Sequence, residues 1–375
     1  MADMTIKELA RICGVAVSTV SRAMNDRSDV NPETRARIRA AAETYGYVPN
    51  TSARRLKIGS TKTISVFIQG EFGPLLVEVL QLLEQAFAEA GFDTTISHIA
   101  NSSHTDAATV ERIVREGKFS GVVFLGRYGR ADRETSAQLS RRLAEIAVPM
   151  VFCTTPDYSG AAALHSSISV DDHAGAHDLT AHLIALGHRR IAFVGAGAEP
   201  DREHAWALRL AGYRAALRDA GIGVDDALVI RSAVEENTYS MRNGYESVRA
   251  WLPTAPDDVT GLISVCDAAA IGASRALSER GLSVPSDVSL AGFDGLDVAN
   301  YVVPRLTTIV QPVAEIAQIT ARVLLATMAD PTRAVERVWI RGRILLGESV
   351  RAVIPAGEGH LRPASSGAAQ GRRAT

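Results

Sequence analysis

Thr5-Ile6-Lys7-Glu8-Leu9-Ala10-Arg11-Ile12-Cys13-Gly14-Val15-Ala16-Val17-Ser18-Thr19-Val20-Ser21-Arg22 decides how the chain begins to fold. Thr5 and Glu8 have the spacing of a capping box, in which the threonine hydroxyl accepts from the Glu8 amide and the Glu8 carboxylate accepts from the Thr5 amide. Ile6, Leu9 and Ala10 follow at helical spacing, and Gly14 supplies the stop. A second helix is predicted from about Val17 to Met24, with Val20 turned inward. Asn31-Pro32-Glu33 then opens a third helix with an N-cap, a proline in the first turn and an acid for the dipole; it ends near Tyr45-Gly46. Two helices joined at a glycine within about 20 residues have the spacing of a helix-turn-helix.

The second helix carries small and polar side chains at its start and an apolar back. Arg22 can donate two bonds to guanine O6 and N7, and Ser18 and Thr19 can reach bases or phosphates. On pattern alone an ordinary capped surface helix is as good a reading. Arg35, Arg37 and Arg39 read as a solvated helix face. Charge favours the nucleic-acid reading. Residues 1–60 hold 10 basic and 6 acidic side chains, whereas the remainder holds 30 and 36, so a basic head precedes an acidic body.

Beyond this head, Pro49, Asn50 and a helix-compatible Thr51 to Ile58 read as a connector ending at Gly59-Ser60. From Thr63 the pattern changes. Apolar runs at Ile64–Ile68, Gly121–Leu125, Val148–Phe152, Ile191–Val194, Gly261–Val265 and Val288–Ala291 alternate with amphipathic helical stretches. Strands alternating with helices imply parallel α/β sheets, and nearly 300 residues suffice for two lobes. A hydrophobic content of 46% excludes wholesale disorder. Residues 356–375, rich in Gly, Ala, Ser and Arg, read as a disordered tail without leucine heptads.

Three scattered cysteines form no disulfide framework, and no secretory signal or run of about eighteen apolar residues is present. The expectation is a cytoplasmic protein with no membrane span. Gly195-Ala196-Gly197 after a strand resembles the start of a dinucleotide turn, but Pro200 takes the third glycine position. His173 and His177 sit four apart beside Asp172, yet a solvated helix is the better reading than a metal site. No G-x-S-x-G elbow occurs. Neither a catalytic residue, a metal nor a cofactor is expected.

The matches Thr5–Ala10, Gly14-Val15, Thr19–Arg22, Asn25, Val30, Thr34-Arg35, Tyr45–Asn50, Ala53-Arg54 and Leu56 fall in one register. Together they closely resemble the headpiece and hinge of the LacI/GalR family of bacterial transcription regulators. The resemblance runs to about residue 354 through Asp171-Asp172, Gly175, His182-Leu183, Leu186–Ala192, Arg209–Tyr213, Cys266-Asp267, Gly292–Asp294, Leu306–Ile309 and Gln311-Pro312. It implies a helix-turn-helix headpiece over 1–46, a hinge helix over 47–60 and a two-lobed periplasmic-binding-protein-like core over 61–355. Lobe 1 would span about 63–174 and 311–338, and lobe 2 about 175–310 and 339–354.

The resemblance also implies the contacts. DNA would be met by Thr5, Val17, Ser18, Thr19, Ser21, Arg22 and Asn25 of the headpiece and by Asn50, Ala53, Leu56 and Lys57 of the hinge. Leu56 would act as an apolar wedge in the minor groove. A small-molecule effector, by default a sugar, would sit in the crevice at the carboxyl ends of the core strands. Phe72, Asp172, Arg209, Tyr239, Asp267, Asp294 and Gln311 are its expected contacts: carboxylates suit hydroxyls, Arg209 can fork to ring oxygens, and Tyr239 or Phe72 can stack on a ring. Bland readings are a helix N-cap for Asp267, a turn at Asp294-Gly295 and core packing for the aromatics.

This chain departs from the family at Ala16, where a hydroxyl residue is usual, and at Cys266, where asparagine is common. The segment Gln69–Pro74 is shorter than the usual loop, and Gly347-Glu348-Ser349 replaces an Arg-bearing strand end. The implied function is a ligand-controlled regulator, most often a repressor, acting as a homodimer on a pseudo-palindromic operator. A solute-binding protein would lack residues 1–60 and carry an export signal; a sugar-processing enzyme would need an acid–base pair that cannot be placed here.

Overall fold

A computed structural model describes residues 4–24, 30–45, 47, 62–69, 72–99, 107–126, 133–155, 163–197, 204–234 and 238–353. The expected contacts Asn25, Asn50, Ala53, Leu56 and Lys57, with most of the hinge and the tail, lie outside them. The chain divides into two units, Met1–Thr61 and Lys62–Thr375.

The first unit holds helices α1 (Ile6–Cys13), α2 (Val17–Ala23) and α3 (Pro32–Thr44). Both halves of the capping box are made: Thr5 N–H donates to Glu8 Oε2 at 2.8 Å, and Glu8 N–H to Thr5 Oγ1 at 3.3 Å. Gly14 ends α1 at φ +62°, a left-handed conformation in which a Cβ would be strained although nothing lies in its way. The Asn31 side chain caps α3 by accepting from Glu33 N–H. Leu9, Ala10, Cys13, Val20, Ala23, Val30, Ile38 and Ala42 bury one small core between the three helices. α2 begins at Ala16 with no side-chain cap, as a residue without a hydroxyl dictates.

The second unit is two α/β lobes. Lobe 1 contains β1 (Thr63–Gln69), α4 (Pro74–Glu89), β2 (Asp93–Ile99), α5 (Ala107–Glu116), β3 (Gly121–Leu125), α6 (Arg133–Ala144), β4 (Met150–Cys153) and β5 (Ser166–Val170). Lobe 2 contains α7 (Asp172–Ala185), β6 (Ile191–Ala196), α8 (Ala205–Asp219), β7 (Val229–Arg231), α9 (Met241–Trp251), β8 (Gly261–Ser264), α10 (Asp267–Glu279), β9 (Ser289–Asp294) and β10 (Thr307–Val310). The chain then returns to lobe 1 for α11 (Val313–Ala329) and β11 (Arg337–Ile340), and crosses again to end in β12 (Arg343–Leu345).

The lobe 1 sheet runs β11-β5-β4-β3-β1-β2, and every pairing in it is parallel. The lobe 2 sheet runs β12-β10-β9-β8-β6-β7 and is parallel except at β12, which lies antiparallel to β10. Central strands such as Gly121–Leu125 and Gly261–Ser264 are buried along their whole length because helices cover both faces. The crossings fall at 171, 311–312 and 341–342. The first and third therefore differ by two or three residues from the sequence expectation: α7 already belongs to lobe 2 at Asp172, and β11 holds the chain in lobe 1 through Ile340.

Candidate effector site and DNA-facing helix

In the headpiece, Val20 and Ala23 bury the back of α2. Val17, Ser18 and Arg22 are exposed and Thr19 and Ser21 half-buried, so the polar side of the helix turns outward. Thr5 is exposed too, but its hydroxyl already serves α1, accepting from Glu8 N–H and donating to the Glu8 carboxylate at 2.8 Å.

In lobe 2 the expected effector residues Asp172, Arg209, Asp294 and Gln311 converge where strand ends meet helix starts. Asp171 caps α7, accepting from Ala174 N–H, and this sets Asp172 in the first turn. Helix α8 runs alongside and supplies Arg209. Arg209 Nε donates to Asp172 Oδ1 at 2.7 Å, Nη1 lies 3.2 Å from Asp294 Oδ1, and Nη1 also donates to the Val265 carbonyl at the end of β8. The guanidinium carbon lies over the Phe293 ring, 3.7 Å from its centroid, and 5.9 Å from that of Tyr239. Gln311, just past β10, donates from Nε2 to Asp294 Oδ1 at 2.7 Å.

Asp172 and Arg209 are each only 4% exposed, so neither charge is stabilised by bulk water. Burial pushes the Asp172 carboxyl up, and Arg209 pulls it back down. Burial likewise pushes Asp294 up, to about 6, against the pull of Arg209. Burial works against the charged Arg209, but Asp172 and Asp294 outweigh it and hold its proton more firmly than in free arginine. One cation between two carboxylates, laid on an aromatic ring, is a rigid polar floor able to accept and donate hydrogen bonds.

Tyr239 stands at the rim, 39% exposed, its hydroxyl accepting from Trp206 N–H at 3.1 Å. Phe72 is exposed just ahead of α4 and, among the described residues, is not part of the bonded cluster. Asp267 differs from the expectation. It is wholly buried, with Oδ2 accepting from Leu296 N–H at 2.7 Å and Oδ1 from the Thr308 hydroxyl, so it presents no surface to a ligand. Nor is it the N-cap of α10; that is Cys266, whose Sγ accepts from Ala269 N–H and donates to the Tyr239 carbonyl, both at 3.3 Å.

Sequence reasoning did not single out Phe293 or the Val265 carbonyl as site groups. Phe293 precedes Asp294 in one strand, and neighbours in a strand point to opposite faces. Arg209 nonetheless touches both, because Asp294 has φ +120° and the alternation breaks there. His177 Nε2 lies 3.0 Å from Asp219 Oδ2, and no group of three metal-ligating side chains occurs among the described residues. No described helix is long and apolar enough to cross a membrane.

Residues 5–50 match the family of bacterial regulatory proteins named for lacI, and residues 180–350 match the periplasmic binding protein-like domain. The HTH-type transcriptional regulator MalR of Clostridium butyricum is 32% identical over 86% of this chain and 92% of its own length. The chain belongs to the lacI family. The ribose operon repressor of Escherichia coli K12 is 29% identical over 90% of this chain and 96% of its own. A transcriptional regulator CelR–cellobiose complex superposes with a TM-score of 0.67 at 28% identity, covering 92% of this chain and 99% of that one. This lacI-family protein is a DNA-binding transcription regulator with a helix-turn-helix head and a two-lobed α/β sensor body.

Proposed function

We propose that this regulator represses transcription from a pseudo-palindromic operator as a homodimer, and that a sugar held by Asp172, Arg209, Asp294 and Gln311 sets its operator affinity. The observation that carries this is the Asp172–Arg209–Asp294 cluster. Its carboxylates and guanidinium are fixed by each other rather than by water, and they lie at the carboxyl ends of the lobe 2 strands, where ligands of parallel sheets bind. Cellobiose in one relative and the ribose operon of another favour a sugar. Tyr239 at the rim offers a ring face, and Phe72 another. Asp267 acts from behind the site rather than on the ligand.

For DNA, the exposed side of α2 presents Val17, Ser18, Ser21 and Arg22 to base edges, with Thr19 and Thr5 toward phosphates. Asn25 is a further DNA contact in this reading, and Asn50, Ala53, Leu56 and Lys57 of the hinge read the minor groove. A single three-helix head reads only one half-site, which is why two copies and a two-fold operator are required. The relatives are regulators, and this chain performs no turnover of its effector. As a DNA-binding regulator it works in the bacterial cytoplasm.

The test is a thermal-shift screen of neutral mono- and disaccharides, including cellobiose and ribose, followed by operator titration with each hit. A ligand that binds only the folded state must raise the melting temperature. A sugar that raises it and also shifts operator affinity supports the reading; if nucleosides or amino acids screened alongside the sugars were the sole hits, the sugar assignment would be overturned.

A further inference from the structure

Asp267 opens α10, yet its carboxylate does not serve its own helix. The α10 N-terminus is satisfied by Cys266, whose Sγ takes Ala269 N–H and whose carbonyl takes Ala270 N–H. Asp267 instead reaches sideways into β9 and β10. Oδ1 accepts from the Thr308 hydroxyl on β10, and Oδ2 accepts from Leu296 N–H just beyond β9. The fit is close enough that a Cβ at residue 292 would overlap Asp267 Oδ1, so glycine is required there.

What these bonds hold is the one residue of the cluster with a strained backbone. Asp294 has φ +120°, which L residues rarely adopt and which persists only where surrounding structure enforces it. The amide of Leu296, two residues on, is the one Asp267 grips, and on the other side Gln311 N–H donates to the Asp294 carbonyl at 3.0 Å. We propose that Asp267 is the positioning residue of the effector site: it ties the Leu296 amide to Thr308, and so holds Asp294 turned against Arg209. That Asp294 receives the effector rests on the function proposed above; the clamp itself does not.

Two substitutions in the full-length protein test it. Asp267→Ala removes the acceptor. Asp267→Asn keeps one oxygen for the Leu296 amide and can turn its NH2 to the Thr308 hydroxyl as acceptor. The readout is residue-resolved hydrogen exchange without ligand, with β6 amides reporting global stability. Asp267→Ala should speed exchange at Leu296 by about tenfold beyond any change at β6, and Asp267→Asn should stay within about threefold of the parent. Should Asp267→Ala fail to fold, Thr308→Val, which removes one donor and leaves the shape, should raise exchange at the same amide. Uniform exchange across the core, or Asn as damaging as Ala, would overturn the clamp. Since no ligand enters the measurement, a failed clamp and a failed effector site give separate results.

Discussion

Arg209 Nε donates to Asp172 Oδ1 at 2.7 Å although the two residues lie on different helices, and residue 212 is what lets those helices approach. A Cβ on Gly212 would overlap the His173 carbonyl oxygen, one residue after Asp172. The ion pair is thus a consequence of backbone-to-backbone packing between α7 and α8.

Gly212→Ala must therefore push the helices apart. Overpacking against backbone rather than a flexible side chain is expected to destabilise the core by about 1–3 kcal/mol. Urea unfolding of parent and variant measures it, and a loss of effector-induced thermal shift larger than the global loss explains would show the pair itself to be broken.

Arg209→Ala leaves Asp172 and Asp294 buried without their cation. Removing one partner of such a network costs about 3–5 kcal/mol, much more than a surface pair. Arg209→Lys keeps the charge but not the fork or the stacking on Phe293, and should be intermediate. Equal stability of all three proteins in denaturant titrations would show the cluster to be energetically idle.

Burial, followed by the nearby negative charge of Asp294, pushes the Asp267 carboxyl up to about 8. Asp294 on β9 and the Cys266 thiol are titratable groups that act on or feel it, and Asp294 in turn meets Arg209 on α8. The unfolded value is about 3.9. Below that pH both states hold the proton; between about 4 and 8 the unfolded chain releases it while the folded chain keeps it, so stability falls as pH rises. Relative to Asp267→Asn, which does not titrate, the parent should lose up to about 1.4 kcal/mol per pH unit over this window. Chemical denaturation at pH 5, 6, 7 and 8 measures the difference, and a constant difference would contradict it.

On the DNA side, Arg22→Ala should lose about 1–3 kcal/mol of discrimination at one guanine in each half-site. The measurement is competition between an operator and its single-base variants at fixed salt. A uniform loss across all sequences would instead make Arg22 a phosphate contact.

The headpiece was legible because its signals are local. Thr5, Glu8, Gly14, Asn31 and Pro32 act within a few residues of where they stand, and each does in the fold what its spacing predicts. The strands were legible where they are apolar, as at Gly121–Leu125. β5 was not, because Ser166-Ser167-Ile168-Ser169 reads as polar although all of it is buried; the Ser166 hydroxyl accepts from Glu336 N–H, 170 residues later. Asp267 was visible as a carboxylate at a strand end, but nothing local shows whether such a side chain faces the crevice or turns to Thr308. The turn at Asp294 was hidden for the same reason, since the clamp that enforces it comes from a helix 27 residues earlier.

The most direct test of effector control is a reciprocal titration. Operator affinity is measured by fluorescence anisotropy with and without the sugar that most raises the melting temperature, and sugar affinity is measured with and without operator. A ligand shifts the equilibrium only through different affinity for two conformations, and the coupling must be the same from either side. The two ratios should agree, at roughly 5–150-fold, and Arg209→Lys should reduce both together. Operator affinity independent of every bound sugar, or coupling untouched by Arg209→Lys, would contradict control through this cluster.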